Sequence, residues 1–190
     1  MKILLVSLLF IFSITANCQT DEGTWLVGGN GNFLSSKNTY SGSTFSQASD
    51  RIDIGISSNL GYFIVDKLAI GIKTNFSKYK EQDLNGSYSN INRFEFGPLV
   101  RYYFLNLEEK NYNILADINY QYGITKDAYL YKGEINTFSA SVGTVIFFNT
   151  SVGLEFLLGY YQRKENIYNS YKTTQKGLRT SIGFQIHLNR

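Results

Sequence analysis

From Arg51 to Phe76 apolar side chains fall on every second residue: Ile52, Ile54 and Ile56, then, after a short break, Leu68, Ile70 and Ile72. Between them stand Arg51, Asp53, Gly55, Ser57, Ala69, Gly71 and Lys73. Successive residues of a β-strand point to opposite faces, so this period gives a strand one apolar and one polar face. It recurs over Thr24–Leu34, Arg51–Phe63, Leu68–Tyr79, Ile91–Phe104, Tyr112–Gly123, Thr137–Phe148, Ser151–Gln162 and Gly177–Leu188. From the second segment on, the even positions are apolar; in the first, the odd face of Trp25, Val27, Gly29, Gly31 and Phe33 is the better apolar side. The chain is therefore expected to be all-β, and what remains to be decided is which face looks inward.

The segments run 11 to 14 residues. Strands of soluble proteins average about 5–6 residues, whereas strands crossing a bilayer at a tilt need about 9–11. The connections alternate as well. Long polar ones are expected at Ser35–Asp50, Lys80–Asn90, Ile124–Asn136 and Arg163–Lys176, and short ones around Val65-Asp66-Lys67, Asn106–Asn111 and Asn149-Thr150. A transmembrane meander has this rhythm, with long loops outside and short periplasmic turns. Aromatic residues gather at both strand ends: Tyr62-Phe63, Tyr102-Tyr103-Phe104 and Phe147-Phe148 before the short turns, and Phe76, Tyr79, Phe94, Tyr120, Tyr122, Tyr160 and Tyr161 at the other end. Two such bands suit a barrel that meets a membrane interface twice.

A soluble, lipocalin-like barrel would bury the even face. Its convex wet surface would then carry Gly55, Gly61, Gly71, Gly97, Gly143, Gly153, Gly159 and Gly183, which weaken strands without gain there. A small barrel interior, by contrast, needs short residues beside long ones. The even face also carries almost no charge, and Lys or Arg against lipid costs roughly 2–4 kcal/mol at the midplane. The sheet is therefore read inside out, as an eight-stranded antiparallel up-and-down transmembrane β-barrel. Ile54, Ile72, Phe96, Phe156, Ile182 and Phe184 would face lipid. Arg51, Asp53, Lys73, Arg93, Glu95, Arg101, Asp117, Glu155 and Arg179 would form a charge network in the lumen. Eight strands enclose a bore that side chains just fill. Pro98 lacks the N–H that a mid-strand position needs, and a local bulge is the expected remedy.

The N-terminus is of another kind. Lys2 precedes the apolar run LLVSLLFIF, and Ala16-Asn17-Cys18 ends the stretch. A basic start, a short apolar core and small residues before a cut define a secretory signal peptide. It is expected to span 1–18, leaving 19–190 as one barrel domain; lipidation of Cys18 is the rival reading. Without Cys18 the chain has no cysteine, so neither a disulfide scaffold nor a thiolate metal site is open to it. The net charge of +3 becomes +2 without Lys2, which does not suit a nucleic-acid binder.

Phe96-Gly97-Pro98-Leu99-Val100-Arg101-Tyr102-Tyr103-Phe104, Gly61-Tyr62-Phe63 and the closing Gly183-Phe184-Gln185-Ile186-His187-Leu188 carry a family resemblance over residues 19–190. The chain resembles the small outer-membrane β-barrel proteins of Gram-negative bacteria, of the OmpX, OmpW and OmpA-barrel type. The resemblance implies the outer membrane as location, both termini periplasmic, lipid and lipopolysaccharide as surroundings, and the barrel-insertion machinery as a partner. Many members end on an aromatic residue, whereas this chain ends Leu188-Asn189-Arg190, so recognition would rest on Phe184, Ile186 and Leu188.

No enzyme, cofactor or metal is expected. Barrel enzymes that process lipid A use a His near the outer rim, but the sole His187 falls at the opposite end. No His/Asp/Glu cluster has metal-ligand spacing, and Gly28-Gly29-Asn30-Gly31 lacks the helix a nucleotide loop needs. The lumen carboxylates could serve proton passage, but their near balance with basic groups favours ion pairing. Lys78, Lys80, Lys126, Lys132, Arg163, Lys164, Lys172 and Lys176 are expected in the outer loops, meeting lipopolysaccharide phosphates or an extracellular ligand. The expected function is a structural or surface-interaction, adhesion-like barrel with a filled lumen. A narrow pore for small solutes and a secreted lipocalin-like binder are the alternatives.

Overall fold

The computed structural model describes residues 20–42, 45–82, 88–106, 111–126, 132–167 and 171–188, with the side chains of 34–42, 45–53, 79–82, 88–91, 126, 132, 167, 171 and 172 outside that description. The expected signal peptide and Cys18 lie outside the described residues. Eight strands follow in chain order: β1 Trp25–Gly42, β2 Phe45–Val65, β3 Leu68–Gln82, β4 Tyr88–Tyr103, β5 Tyr112–Lys126, β6 Lys132–Phe147, β7 Val152–Ile167 and β8 Tyr171–Leu188. Each pairs antiparallel with its sequence neighbours, and β1 with β8 closes the barrel.

Register fixes the tilt. The partners of Gly61, followed once round the barrel, are Gly71, Leu99, Asn119, Ser139, Tyr161, Gly177, Ser36 and finally Arg51. The circuit returns to β2 ten residues away, the difference between 61 and 51. Over eight strands that stagger tilts them by roughly 40° to the axis.

The strands are 15 to 21 residues long, well beyond the expected segments. Most of the long connections expected at Ser35–Asp50, Lys80–Asn90, Ile124–Asn136 and Arg163–Lys176 are in fact strand, paired as far as Gly42–Phe45, Gln82–Tyr88, Lys126–Lys132 and Ile167–Tyr171. Beyond the apolar girth both faces turn polar. The hydrophobic contrast that marks a strand in sequence fades there, while the backbone ladder continues.

Pro98 causes no bulge. The β3–β4 ladder runs through Ile72–Pro98 without a shift. On the other side, pairing to β5 lapses between Phe96–Tyr122 and Leu99–Asn119 and resumes in the same register. The missing N–H thus interrupts one ladder without inserting a residue. Among the described residues the register shift lies instead between Phe63 and Val65, beside the tight turn where Lys67 takes a φ of 68°.

The ends differ. Both described termini and the short turns share one end, the turn end, where Trp25 pairs with Leu188. Residues before β1 fold back across it: Lys67 N donates to Thr20 O at 2.7 Å, and Gly23 N to Phe63 O at 2.9 Å. Just inside, Leu26, Phe63, Ala69, Tyr103, Leu115, Val145, Phe147 and Leu157 form one buried apolar cluster. The aromatic doublets of the sequence are therefore divided between two faces. Tyr102, Phe104 and Phe148 stand outside, whereas Phe63, Tyr103 and Phe147 turn inward to plug the bore.

Candidate functional site: the filled lumen

Alternation carried through eight tilted strands sorts the side chains by face. Ile54, Ile72, Phe96, Phe156, Ile182 and Phe184 all stand on the outer wall, with Ile54 67% exposed and Ile182 52%. A soluble carrier would bury that face. The odd positions of β2 to β8, and the even ones of β1, point into the barrel, where Lys73, Arg93, Glu95, Arg101, Asp117, Glu155 and Arg179 are buried. Arg51 and Asp53 have their backbone in β2, and their side chains lie outside the described residues.

Next to the apolar plug lies a first charge layer around Arg101. Its guanidinium donates to Asp117 Oδ2 from Nη2 at 2.8 Å and from Nε at 3.3 Å, and from Nη1 to Glu155 Oε2 at 2.8 Å. All three side chains are wholly buried. Gln185 Oε1 accepts from Arg101 Nη1 at 3.1 Å and from the Tyr103 hydroxyl at 2.6 Å, tying the layer to the plug. Lys73 Nζ stands 3.7 Å from Asp117 Oδ1, and Asn119 Nδ2 donates to that oxygen at 2.9 Å. Two carboxylates thus meet two cations, the arrangement that makes burial of charge affordable.

A second layer lies nearer the far end. Arg163 Nη2 donates to Glu95 Oε1 at 2.6 Å, and Arg93 Nη2 to Glu165 Oε2 at 2.5 Å. The Arg179 guanidinium stands 5.2 Å from the centre of the Tyr161 ring, within cation–π range. Arg163 was expected among the outer-loop cations. It is instead an inward residue of β7, 1% exposed. Glu165 and Arg163 were legible in principle, because they continue the odd parity of Glu155, Leu157, Gly159 and Tyr161. The fading of contrast on the even face beyond Tyr160 hid them.

Short polar side chains join the layers. Asn30 donates to Glu155 and accepts from the Ser57 hydroxyl at 2.6 Å. Asn32 Nδ2 donates to Ser57 Oγ at 2.9 Å and to Asn75 Oδ1 at 3.2 Å, and Asn75 Nδ2 donates to Glu95 Oε1 at 3.4 Å. With Arg163 Nε donating to Thr137 Oγ1 at 3.2 Å, all eight strands contribute to one network. Sequence reasoning named its charges other than Arg163 and missed these relays, since isolated Asn and Ser on a strand carry no signal.

Glycine sets how closely the walls approach. A Cβ at Gly97 would clash with Tyr120 O and come within 2.9 Å of Gln121 Cα. Only a bare Cα fits beside β5 there, next to the ladder gap at Pro98.

His187 lies 2% exposed in the turn-end plug, with ring centroids 5.5 Å from Phe63, 5.8 Å from Tyr103 and 5.4 Å from Phe147. Among the described residues no group of three or more His, Cys, Asp or Glu is placed to hold a metal ion. Of the cations expected in the outer loops, Lys78, Lys164 and Lys176 are exposed on the outward face of β3, β7 and β8. The side chains of Lys80, Lys126, Lys132 and Lys172 lie outside the described residues.

A closed eight-stranded meander with its apolar residues outside and its charges within has the fold of the small outer-membrane barrels. Among solved structures, the outer membrane protein OprG from Pseudomonas aeruginosa matches with a TM-score of 0.63 at 13% identity, over 91% of this chain and all of that one. The Neisserial surface protein A (NspA) matches with a TM-score of 0.59 at 14% identity, over 87% of this chain and 99% of that one. No protein-family model matches the sequence, and no curated protein matches it significantly. At these identities the likeness is one of fold.

Proposed function

We propose that the chain is an integral outer-membrane barrel with both termini periplasmic, a lumen closed to ordinary solutes, and a structural or surface-interaction role at the cell surface. The observation that carries this reading is the inverted distribution of side chains. The outer wall is apolar on every strand, whereas Arg93, Arg101, Asp117 and Glu155 are sealed inside. In water such a wall would aggregate; in hydrocarbon it is the required surface, and closure of β1 on β8 leaves the sheet no open edge against lipid.

Closure rests on two stacked barriers. The plug around His187 blocks the turn end, and the Arg101 layer fills the bore above it. A narrow pore is the second reading, favoured by Asn59, whose amide atoms make no hydrogen bond to any described residue, and by Gln121 Oε1 and Ser139 Oγ, which do likewise. Buried polar atoms of this kind are ordinarily served by water. Internal water between the strands is compatible with a plug, because the aromatic end offers it no polar exit. The reading assigns the barrel no reaction, and it takes lipid, lipopolysaccharide and the insertion machinery as its partners.

Membrane fractionation and planar-bilayer recording test it. The protein should be recovered in the outer-membrane fraction, run heat-modifiably in detergent gels and stay electrically silent. Recovery in the soluble periplasm would refute the location, and steady ion-selective openings would replace the plug with a pore.

A further inference from the structure

The outer wall is not uniformly filled. A trough of about 670 Å³ crosses β1, β2, β6, β7 and β8, with an overwhelmingly apolar lining. Register explains it. Thr180 stands between Leu158 on β7 and Phe33 on β1, and Gly31 between Ile182 on β8 and Ile56 on β2. At each place a short residue is flanked by two large ones. The first of these rows continues without a break: Val142, Leu158, Thr180, Phe33, Ile54 and then Lys78. It climbs away from the turn end, because Val142 lies five residues from that end of β6 and Lys78 ten residues from that end of β3. The lining of this uncharged trough ends in that row at Ile54, and the next residue of the row is the exposed Lys78.

We infer that this trough and Lys78 form a binding site for one acyl chain and one phosphate of lipid A, the anchor of lipopolysaccharide. The inference rests on the outer-membrane reading above, which makes the far end the outer leaflet. Four considerations select the occupant. The medium at this height is hydrocarbon, so an acyl chain is at hand. No charged residue lines the trough, and its outward polar groups are the hydroxyls of Thr144 and Thr180, so its lining suits an apolar chain. The row ends on a cation, which complements an anionic headgroup at the leaflet surface. Lys176, outward on β8 four residues beyond Thr180, stands about 13 Å further along the strand and offers a second contact to a bis-phosphorylated headgroup. A glycerophospholipid of the inner leaflet would place its phosphate at the opposite end, away from both lysines.

The test uses the folded barrel in nanodiscs of zwitterionic lipid, with purified hexa-acylated lipid A and phosphatidylglycerol as competing probes, read by native mass spectrometry. Lipid A should be retained in preference to phosphatidylglycerol. K78Q should weaken retention about fivefold, the worth of one lysine beside an anionic lipid surface. T180F, which fills the trough from the lipid side, should weaken it about tenfold or more while leaving heat-modifiable mobility intact. Equal retention of the two lipids overturns the inference, as does lipid A binding that T180F leaves unchanged. Wild-type dimers that T180F dissolves would assign the trough to a second copy and overturn it as well. Any of these results in a protein recovered from the outer membrane leaves the location standing, whereas a soluble protein fails at fractionation first.

Discussion

Arg163 and Lys164 are adjacent in sequence and opposite in consequence. Arg163 enters the lumen and pairs with Glu95, whereas Lys164 points outward and is exposed. Arg163→Ala would leave Glu95 buried beside a vacated partner. Breaking a buried pair from one side costs about 3–5 kcal/mol, and a typical surface substitution stays within about 0.5 kcal/mol. A large loss in urea midpoint is therefore expected for Arg163→Ala and almost none for Lys164→Ala; equal effects would mean that β7 does not extend as described. Glu155→Gln should also destabilise, since it removes the charge that Arg101 Nη1 and Asn30 both address. Asp117 remains on the same guanidinium, so the loss should fall at the lower end of that range, measured by the same titration.

At the level of elements, the β4–β5 seam is the place to look. Its ladder lapses at Gly97 and Pro98, and the strands approach too closely there for a side chain at Gly97. Gly97→Val should force the strands apart and cost roughly 2 kcal/mol or more, seen as a fall in the folded band on a detergent gel. Valine is a good strand former, so propensity alone predicts the opposite sign. Hydrogen exchange should likewise be faster at Tyr120 than at Ile118, whose partner Val100 lies within the intact ladder. Uniform protection along β5 would show that the gap is closed in solution.

For the molecule as a whole, the outer-membrane reading makes facing the condition for insertion. Ile182→Arg places a cation on the outer wall at mid-strand, a cost of about 2–4 kcal/mol in the bilayer. Ser57→Asn, on the lumen side, should be milder. Assembly into liposomes should therefore fail or slow for the first and proceed for the second. The reverse order would return the apolar face to the interior and revive the soluble barrel.

The sequence by itself determined the fold class, the strand count and the face each strand turns outward, because period-2 contrast is local and each residue's parity is fixed by the backbone. Ile54, Phe156 and Ile182 could be placed on the outer wall from that alone. Strand length, the packing of Phe63, Tyr103 and Phe147 with His187 into one plug, and the ladder gap at Pro98 were decided by the tertiary structure. So were the pairings Arg93–Glu165 and Arg163–Glu95, which join residues 72 and 68 positions apart. Parity says that a side chain enters the lumen but not at what height. Height follows from the stagger accumulated round eight strands, and only the closed barrel sets that stagger.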